Sequence, residues 1–518
     1  MPLDKFRDGT QLDTAKSNGS GAKISIKVKI AVIADTHYAP GANILAPSRR
    51  GEIADILLLR AVHRINRLIH PDITLILGDI HDAGGTTEGM GQLGRMREIA
   101  ALLESPWLII PGNHDAPPEQ FFSVFPRPAE MTDINNVRFV PFLDPEEPGY
   151  NARRTASDLM RMQKVRAGWH GPIVALQHVP IFPRGRANCP YNYVNAGDVV
   201  AAMRQNDVIL AISGHYHEGV ELISDDGMNF LSAPALCQPP FSFLEIDLVD
   251  KKVAVTRHDL RLPAKLYLWD MHVHTQFAYC SENMDIVRSI GLGSDFGLAG
   301  LTFTEHSGQL YFDNDTYWSN ACLAGGITTA KKQDERMQAY LAALNNAGCL
   351  PLNTGLEADC CFDGSLLVRS SDINRVRYLL GSVHGLSAMR NPQPDIDAVC
   401  DEFLALTGRL VHAGIDILAH PFRVFARAAF KIPQSLYDPV VKLLRETGVA
   451  VEINFHTQTP DPEFYRRCLA AGVKLAFGSD AHNLYEIGEF APHLALLSSC
   501  GFNGDLDEIL LNPGHVPA

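Results

Sequence analysis

Residues 269–277 read W-D-M-H-V-H-T-Q-F. A strand alternates its faces, so Asp270, His272 and His274 share one side of this segment. The chain has by then already laid out a similar series: A-D-T-H (34–37), L-G-D-I-H-D (77–82), P-G-N-H-D (111–115), L-Q-H-V-P (176–180) and S-G-H-Y-H-E (213–218). A second series of ligand-type residues therefore begins at 270. At 518 residues the chain is too long for one ordinary core, and two domains are expected.

Upstream of the quoted stretch, apolar runs at 29–34, 73–77, 107–111, 172–177 and 207–213 read as strands. Amphipathic segments at 52–69 and 92–104 read as helices between them. From about 220 to 260 the period becomes two, which predicts antiparallel strands closing a sheet, and R-L-P-A-K (261–265) reads as a linker. Downstream, a new β/α alternation delivers a polar residue after each apolar run. These are Glu305 and His306, Glu357, His384, His420, Glu452, and Asp480 with His482. Strands presenting polar ends in succession are what the mouth of a β/α barrel requires.

Taken singly, each residue has an ordinary explanation. Asp79 or Asn113 could simply form turns, a lone histidine is commonly a satisfied polar group, and Glu452 could pair with an arginine. The ordered set is harder to explain that way: eleven of the twenty histidines fall in these motifs (37, 114, 178, 215, 217, 272, 274, 306, 384, 420, 482). Residues at the C-terminal ends of successive strands converge on one rim of an α/β sheet. His63 and His493 are left as core or surface residues, and His456 is undecided.

The first series, D-x-H, G-D, G-N-H-D, H and G-H-x-H, resembles the calcineurin-like metallophosphoesterases over about residues 25–260. The resemblance implies a four-layer αββα sandwich with a two-metal site. It assigns Asp35, His37 and His217 to one metal and Asn113, His178 and His215 to the other, with Asp79 bridging. His114 would be the general acid, oriented by Asp115. The second series resembles the PHP (polymerase and histidinol phosphatase) family over about 266–490, through H-x-H, E-H, G-x-E, S-V-H, A-H-P and S-D-A-H. That implies a distorted (β/α)7 barrel with two or three metals on His272, His274, His306, Glu357, His384, His420, Asp480 and His482. Where many members carry a further ligand for the third metal, this chain reads Q-F-A-Y-C-S-E, offering Cys280 or Glu282. Arg423, after H-P-F, could hold a substrate phosphate or be a surface arginine. The expected organisation is a tail over 1–24, a first domain over 25–262 and a second over 263–518.

The net charge of −14 disfavours a nucleic-acid polymer as partner, since bound cations rather than a basic groove would have to meet the phosphate. Ten cysteines without a C-x-x-C pair fit reduced thiols, and the polar N-terminus carries no apolar signal core, so a cytoplasmic protein without a membrane partner is expected. Mixed carboxylate, amide and imidazole donors suit divalent Mn, Fe, Zn or similar ions. The expected function is hydrolysis of small phosphate esters or nucleotides, a diester in the first domain and a monoester in the second. The alternatives are one working domain beside a regulatory one, or a nuclease.

Overall fold

A computed structural model of the chain describes residues 26–41, 43–44, 46–330, 335–349, 353–511 and 513. The expected tail over 1–24 lies outside the described residues.

Two sheets form the N-terminal half. The first orders its strands Lys252–Asp259, Ser242–Val249, Lys27–Ile33, Ile73–Leu77, Trp107–Ile110. The second orders Val220–Asp225, Met228–Ser232, Val208–Ser213, Ile173–Leu176, Val137–Pro141, Thr132–Ile134. Alternation decides how they pack. Val28, Ile30 and Val32 meet Phe139, Leu176, Leu210 and Ile212 of the other sheet in one buried core, while Ala31 and Ile33 face the helix Ala54–Arg64 on the outside. The outer face of the second sheet is covered by Ala156–Arg166 and Ala196–Gln205, through Met162, Val165, Val199 and Met203. The result is an αββα sandwich.

The period-two region departs from expectation. It supplies four strands, but the first two join the second sheet and the last two join the first, and Met228–Ser232 runs parallel to Val208–Ser213. The helix expected over 92–104 runs Thr87–Ala100, starting earlier because the Thr86 side chain caps Gly89 N–H at 3.1 Å.

Seven parallel strands form the C-terminal half: Trp269–Val273, Gly300–His306, Thr354–Asp359, Tyr378–Ser382, Ile417–Leu418, Ala450–Ile453 and Leu475–Phe477. Val273 bridges to Ala481, and Asp480 N–H donates to His272 O at 2.8 Å, so the last strand returns to the first and the barrel nearly closes. The two halves are not separated by a loose linker. Leu262 is buried and bonded to Phe296 O at 2.8 Å, and one apolar core contains Leu57 and Ala61 with Leu260, Phe296, Ile487 and Phe490.

Candidate metal centres

In the first half, Asp35, His37, Asp79 and His215 all take left-handed backbone conformations, with φ of 55°, 46°, 52° and 67°. Such conformations cost non-glycine residues roughly 1–3 kcal/mol each and persist where the surroundings impose them. Here they turn the side chains inward at the strand ends. His37 Nε2 lies 3.0 Å from His217 Nε2, 3.5 Å from Asp79 Oδ2 and 3.9 Å from Asp35 Oδ1. On the other side of Asp79, His178 Nε2 lies 3.3 Å from Asp79 Oδ2, 3.1 Å from Asn113 Oδ1 and 3.2 Å from His215 Nδ1. Asp79 thus stands between the two groups the sequence singled out.

The outer nitrogens decide what the inner ones can do. His178 Nδ1 donates to Leu77 O (2.7 Å) and His215 Nε2 to Tyr150 O (3.0 Å). With a proton on each outer nitrogen, the inner nitrogens, 3.2 Å apart, are the ones left to share a proton or a metal ion. Two bare nitrogens at that distance would repel, so a cation, either a proton or a metal ion, belongs between them. The pocket also calls for positive charge: burial lowers the His178 pKa, yet Asp79 outweighs it and carries it up to about 10. Burial instead takes His215 down to about 4. A divalent ion on these donors answers both demands.

Glycine makes room for the arrangement. A Cβ on Gly112 would lie 2.2 Å from Asp79 Oδ1 and 2.5 Å from Asp79 N.

His114 is one-third exposed, and its Nδ1 lies 3.1 Å from Asp82 Oδ1; that contact raises its pKa. The expectation that Asp115 orients His114 is not what the geometry gives. Asp115 turns back to accept the N–H groups of Ile80 (2.9 Å), His81 (3.2 Å) and Gly112 (2.8 Å), tying together the loops that carry Asp79 and Asn113. Asp82, which also accepts from His37 Nδ1 at 2.6 Å, is the carboxylate on His114. Cys237, given no role by the sequence, is buried with its sulfur within 4.8 Å of ligand atoms of His37 and His217. Over this group lies a cavity of about 400 Å³ bounded by Arg49, His114, Tyr150, Tyr191 and Tyr216.

In the barrel Glu357 occupies the centre. Its Oε1 lies 2.7 Å from His420 Nε2 and 3.2 Å from His384 Nε2, and its Oε2 lies 2.5 Å from His306 Nδ1 and 3.6 Å from His272 Nε2. The close approach of His306 Nδ1 to Glu357 Oε2 lacks hydrogen-bond alignment, and both atoms are buried. Asp480 Oδ1 sits 2.9 Å from His274 Nε2. His272 Nε2 and His274 Nε2 face each other at 3.2 Å, while their Nδ1 atoms are taken by Glu452 (2.8 Å) and Glu305 (3.1 Å). As with His178 and His215, the inner nitrogens converge on a place for a cation, here beside Asp480 Oδ1. Asp359 holds His384 Nδ1 in the same way at 2.6 Å, and His482 joins His274 and His306 in one cluster that could hold an ion.

Glu305, Asp359 and Glu452 are thus aligning groups behind the histidines. Arg423 is buried, not on the surface; it pairs with Asp480 and reaches to 3.5 Å from His384 Nε2. The two residues offered for a third metal are otherwise engaged: Cys280 accepts from Gln309 Nε2 at 3.5 Å, and Glu282 accepts from Asn483 at 2.7 Å.

Residues 28–219 match the family of calcineurin-like phosphoesterases, and residues 270–456 match the PHP domain. The chain joins a calcineurin-like phosphoesterase domain to a PHP domain. Within the phosphoesterase domain lie the Asp79 clusters, and within the matched PHP residues lie six of the eight barrel residues, His420 being the last. A protein of Acetivibrio thermocellus described as "Probable phosphatase" is 26% identical over 146 residues, which are 26% of this chain and 54% of that protein. The chain thus spans about half the length of that curated relative. Among solved structures, a dimetal phosphatase from Danio rerio aligns over 45% of this chain and 98% of its own, at 18% identity and a TM-score of 0.36. GAP50, the anchor in the inner membrane complex of Plasmodium, aligns over 45% of this chain and 85% of its own, at 10% identity and 0.34. Among the described residues, no helix is long and apolar enough to cross a membrane.

Proposed function

We propose that the chain is a phosphoesterase with two metal-dependent hydrolytic centres, a diesterase over 25–262 and a monoesterase over 263–518. The observation that carries the reading is the convergence, in each domain, of imidazole nitrogens 3.2 Å apart on buried carboxylates that call for positive charge.

In the first centre Asp35, His37, Asp79 and His217 would hold one ion, and Asp79, Asn113, His178 and His215 the other. Divalent ions there would supply a hydroxide nucleophile and a clamp for phosphate oxygens. The protein's own work is at His114. Asp82 holds its Nδ1 and raises its pKa, favouring the charged ring and leaving Nε2 to protonate the departing alkoxide. The cavity of about 400 Å³ gives the alcohol groups of a diester somewhere to lie.

In the second centre His272, His274, His306, Glu357, His384, His420, Asp480 and His482 would hold two ions. Nearly complete burial of this set favours a small substrate with an exposed phosphate, which Arg423 would help to hold. The first reaction makes such a monoester and the second consumes it. The ten free thiols support the expectation of a reducing, cytoplasmic setting.

Kinetics of the full chain on a simple diester, with products resolved over time, test the sequence of steps. His114→Ala should accumulate diester, and Asp480→Ala should accumulate monoester. If each change stopped both steps equally, the two-step reading would be wrong.

A further inference from the structure

The segment from His482 to Glu489 lies between the two domains and takes hydrogen bonds from both. On the barrel side, Glu486 Oε2 accepts the N–H groups of His482 (2.8 Å) and Asn483 (3.0 Å), and Gly488 N–H donates to Asp270 at 2.8 Å. Glu486 Oε1 lies 3.0 Å from His456 Nδ1, and the His456 ring stacks on His482 with centroids 4.5 Å apart.

On the other side stands the phosphoesterase domain's helix Ala54–Arg64. Arg60, fully buried, donates from Nη1 to Tyr485 O (2.9 Å) and Ile487 O (2.6 Å), and from Nη2 to Gly488 O (2.9 Å). Arg64 forks onto Glu489 at 2.8 and 2.7 Å, and Arg60 Nε lies 2.8 Å from the same carboxylate. His63 stacks flat on Tyr485, 4.3 Å away and 4° from parallel. A planar guanidinium meeting three carbonyls fixes the orientation of three peptide groups at once, which a flexible lysine could not do. Two arginines that rarely go fully buried have thus been spent on one short loop of the other domain.

We propose that Arg60 and Arg64 are positioning residues for the PHP centre: they fix the segment 485–489 and, through Glu486 and His456, the ring of His482. The proposal rests on the reading of His482 as a metal ligand. It makes the phosphoesterase domain a structural part of the second centre, so the PHP domain reaches full metal affinity only when the helix Ala54–Arg64 is docked.

The test uses the full chain carrying Asp79→Ala, His215→Ala and His217→Ala, which removes two of the residues assigned to each ion of the first centre, so that added Zn2+ reports the PHP centre. The Zn2+ dissociation constant is measured by competition with a chromophoric chelator well below the melting temperature, and amide hydrogen exchange follows 482–489. Introducing Arg60→Met should weaken Zn2+ binding by about 10–100-fold, the usual effect of losing a group that orients a ligand. Exchange across 482–489 should quicken while Thr354–Asp359 stays protected. A lowered melting temperature with an unchanged dissociation constant would mean the arginines serve the fold alone, and the proposal would fall. Should Arg60→Met not fold, Arg64→Gln at the edge of the same network takes its place, with a several-fold weakening expected and no change overturning the idea. If the parent chain with Arg60 intact bound no Zn2+, the metal-centre reading itself would fail, a result distinct from binding that ignores Arg60.

Discussion

Replacing Glu305 by glutamine changes one oxygen to an NH2 group and nothing else, yet the structure predicts a large effect. Both carboxylate oxygens face backbone donors: Oε1 accepts from His306 N–H and Oε2 from Thr275 N–H, each at 3.0 Å. Backbone N–H groups cannot reverse. Whichever way the amide is flipped, its NH2 opposes one of them in a fully buried place, costing about 1–3 kcal/mol. Flipped toward Oε1, it also opposes His274 Nδ1–H, now 3.1 Å away. His274 then loses the partner that aims Nε2 into the cluster. Loss of such an aligning group weakens metal binding by about 10–100-fold, or about 1.4–2.7 kcal/mol. Zn2+ competition on the full chain measures the affinity, and urea unfolding measures the stability. A pH series adds a check. Burial raises the Glu305 pKa, but His274, His306 and Thr275 together outweigh it, so the folded value lies below the ordinary one. Its stabilisation is therefore present above the usual glutamate range and lost as pH falls through the folded value. The gap between Glu305 and Glu305→Gln should narrow in acid. Wild-type metal affinity in the variant, with or without a loss of stability, would refute the alignment argument.

Three further outcomes are expected. Asp82→Asn removes the charge that raises His114, so the alkaline limb of the diesterase pH–rate profile should move to lower pH; an unmoved limb would take His114 out of the acid role. Gly112→Ala would force a Cβ to within 2.2 Å of Asp79 Oδ1, so elemental analysis should show metal lost from the first centre and retained in the second. Stripping metals with a chelator should lower the melting temperature of the whole chain, restored by adding back a divalent ion, because the buried carboxylates and facing nitrogens are then left to repel each other.

The ligand-type residues were legible because they obey a local rule. A spacing of two places His272 with His274, and His215 with His217, on one face whatever the rest of the chain does. The groups behind them obey no such rule. Glu452 meets His272 across 180 positions, and only the closure of the barrel brings them together. The assignment of Asp115 to orient His114 failed for a similar reason: adjacency to His114 says nothing about direction, and the turn sends Asp115 back onto Gly112 N–H. The join between the domains did leave a trace. A helix covering one sheet needs a single apolar stripe, whereas A-D-I-L-L-L-R-A-V-H-R is apolar most of the way round, and Ile56, Leu57, Leu58 and Leu59 are all buried in succession. Such a helix has to be covered on two sides. The first sheet provides one, and the helix Thr87–Ala100 and the barrel's segment 484–490 cover the rest. A sequence that reads as two domains in series thus encodes one core shared between them beside the cores each domain keeps, and the second set of ligand-type residues opens in a barrel whose last loop is already bonded to the first domain.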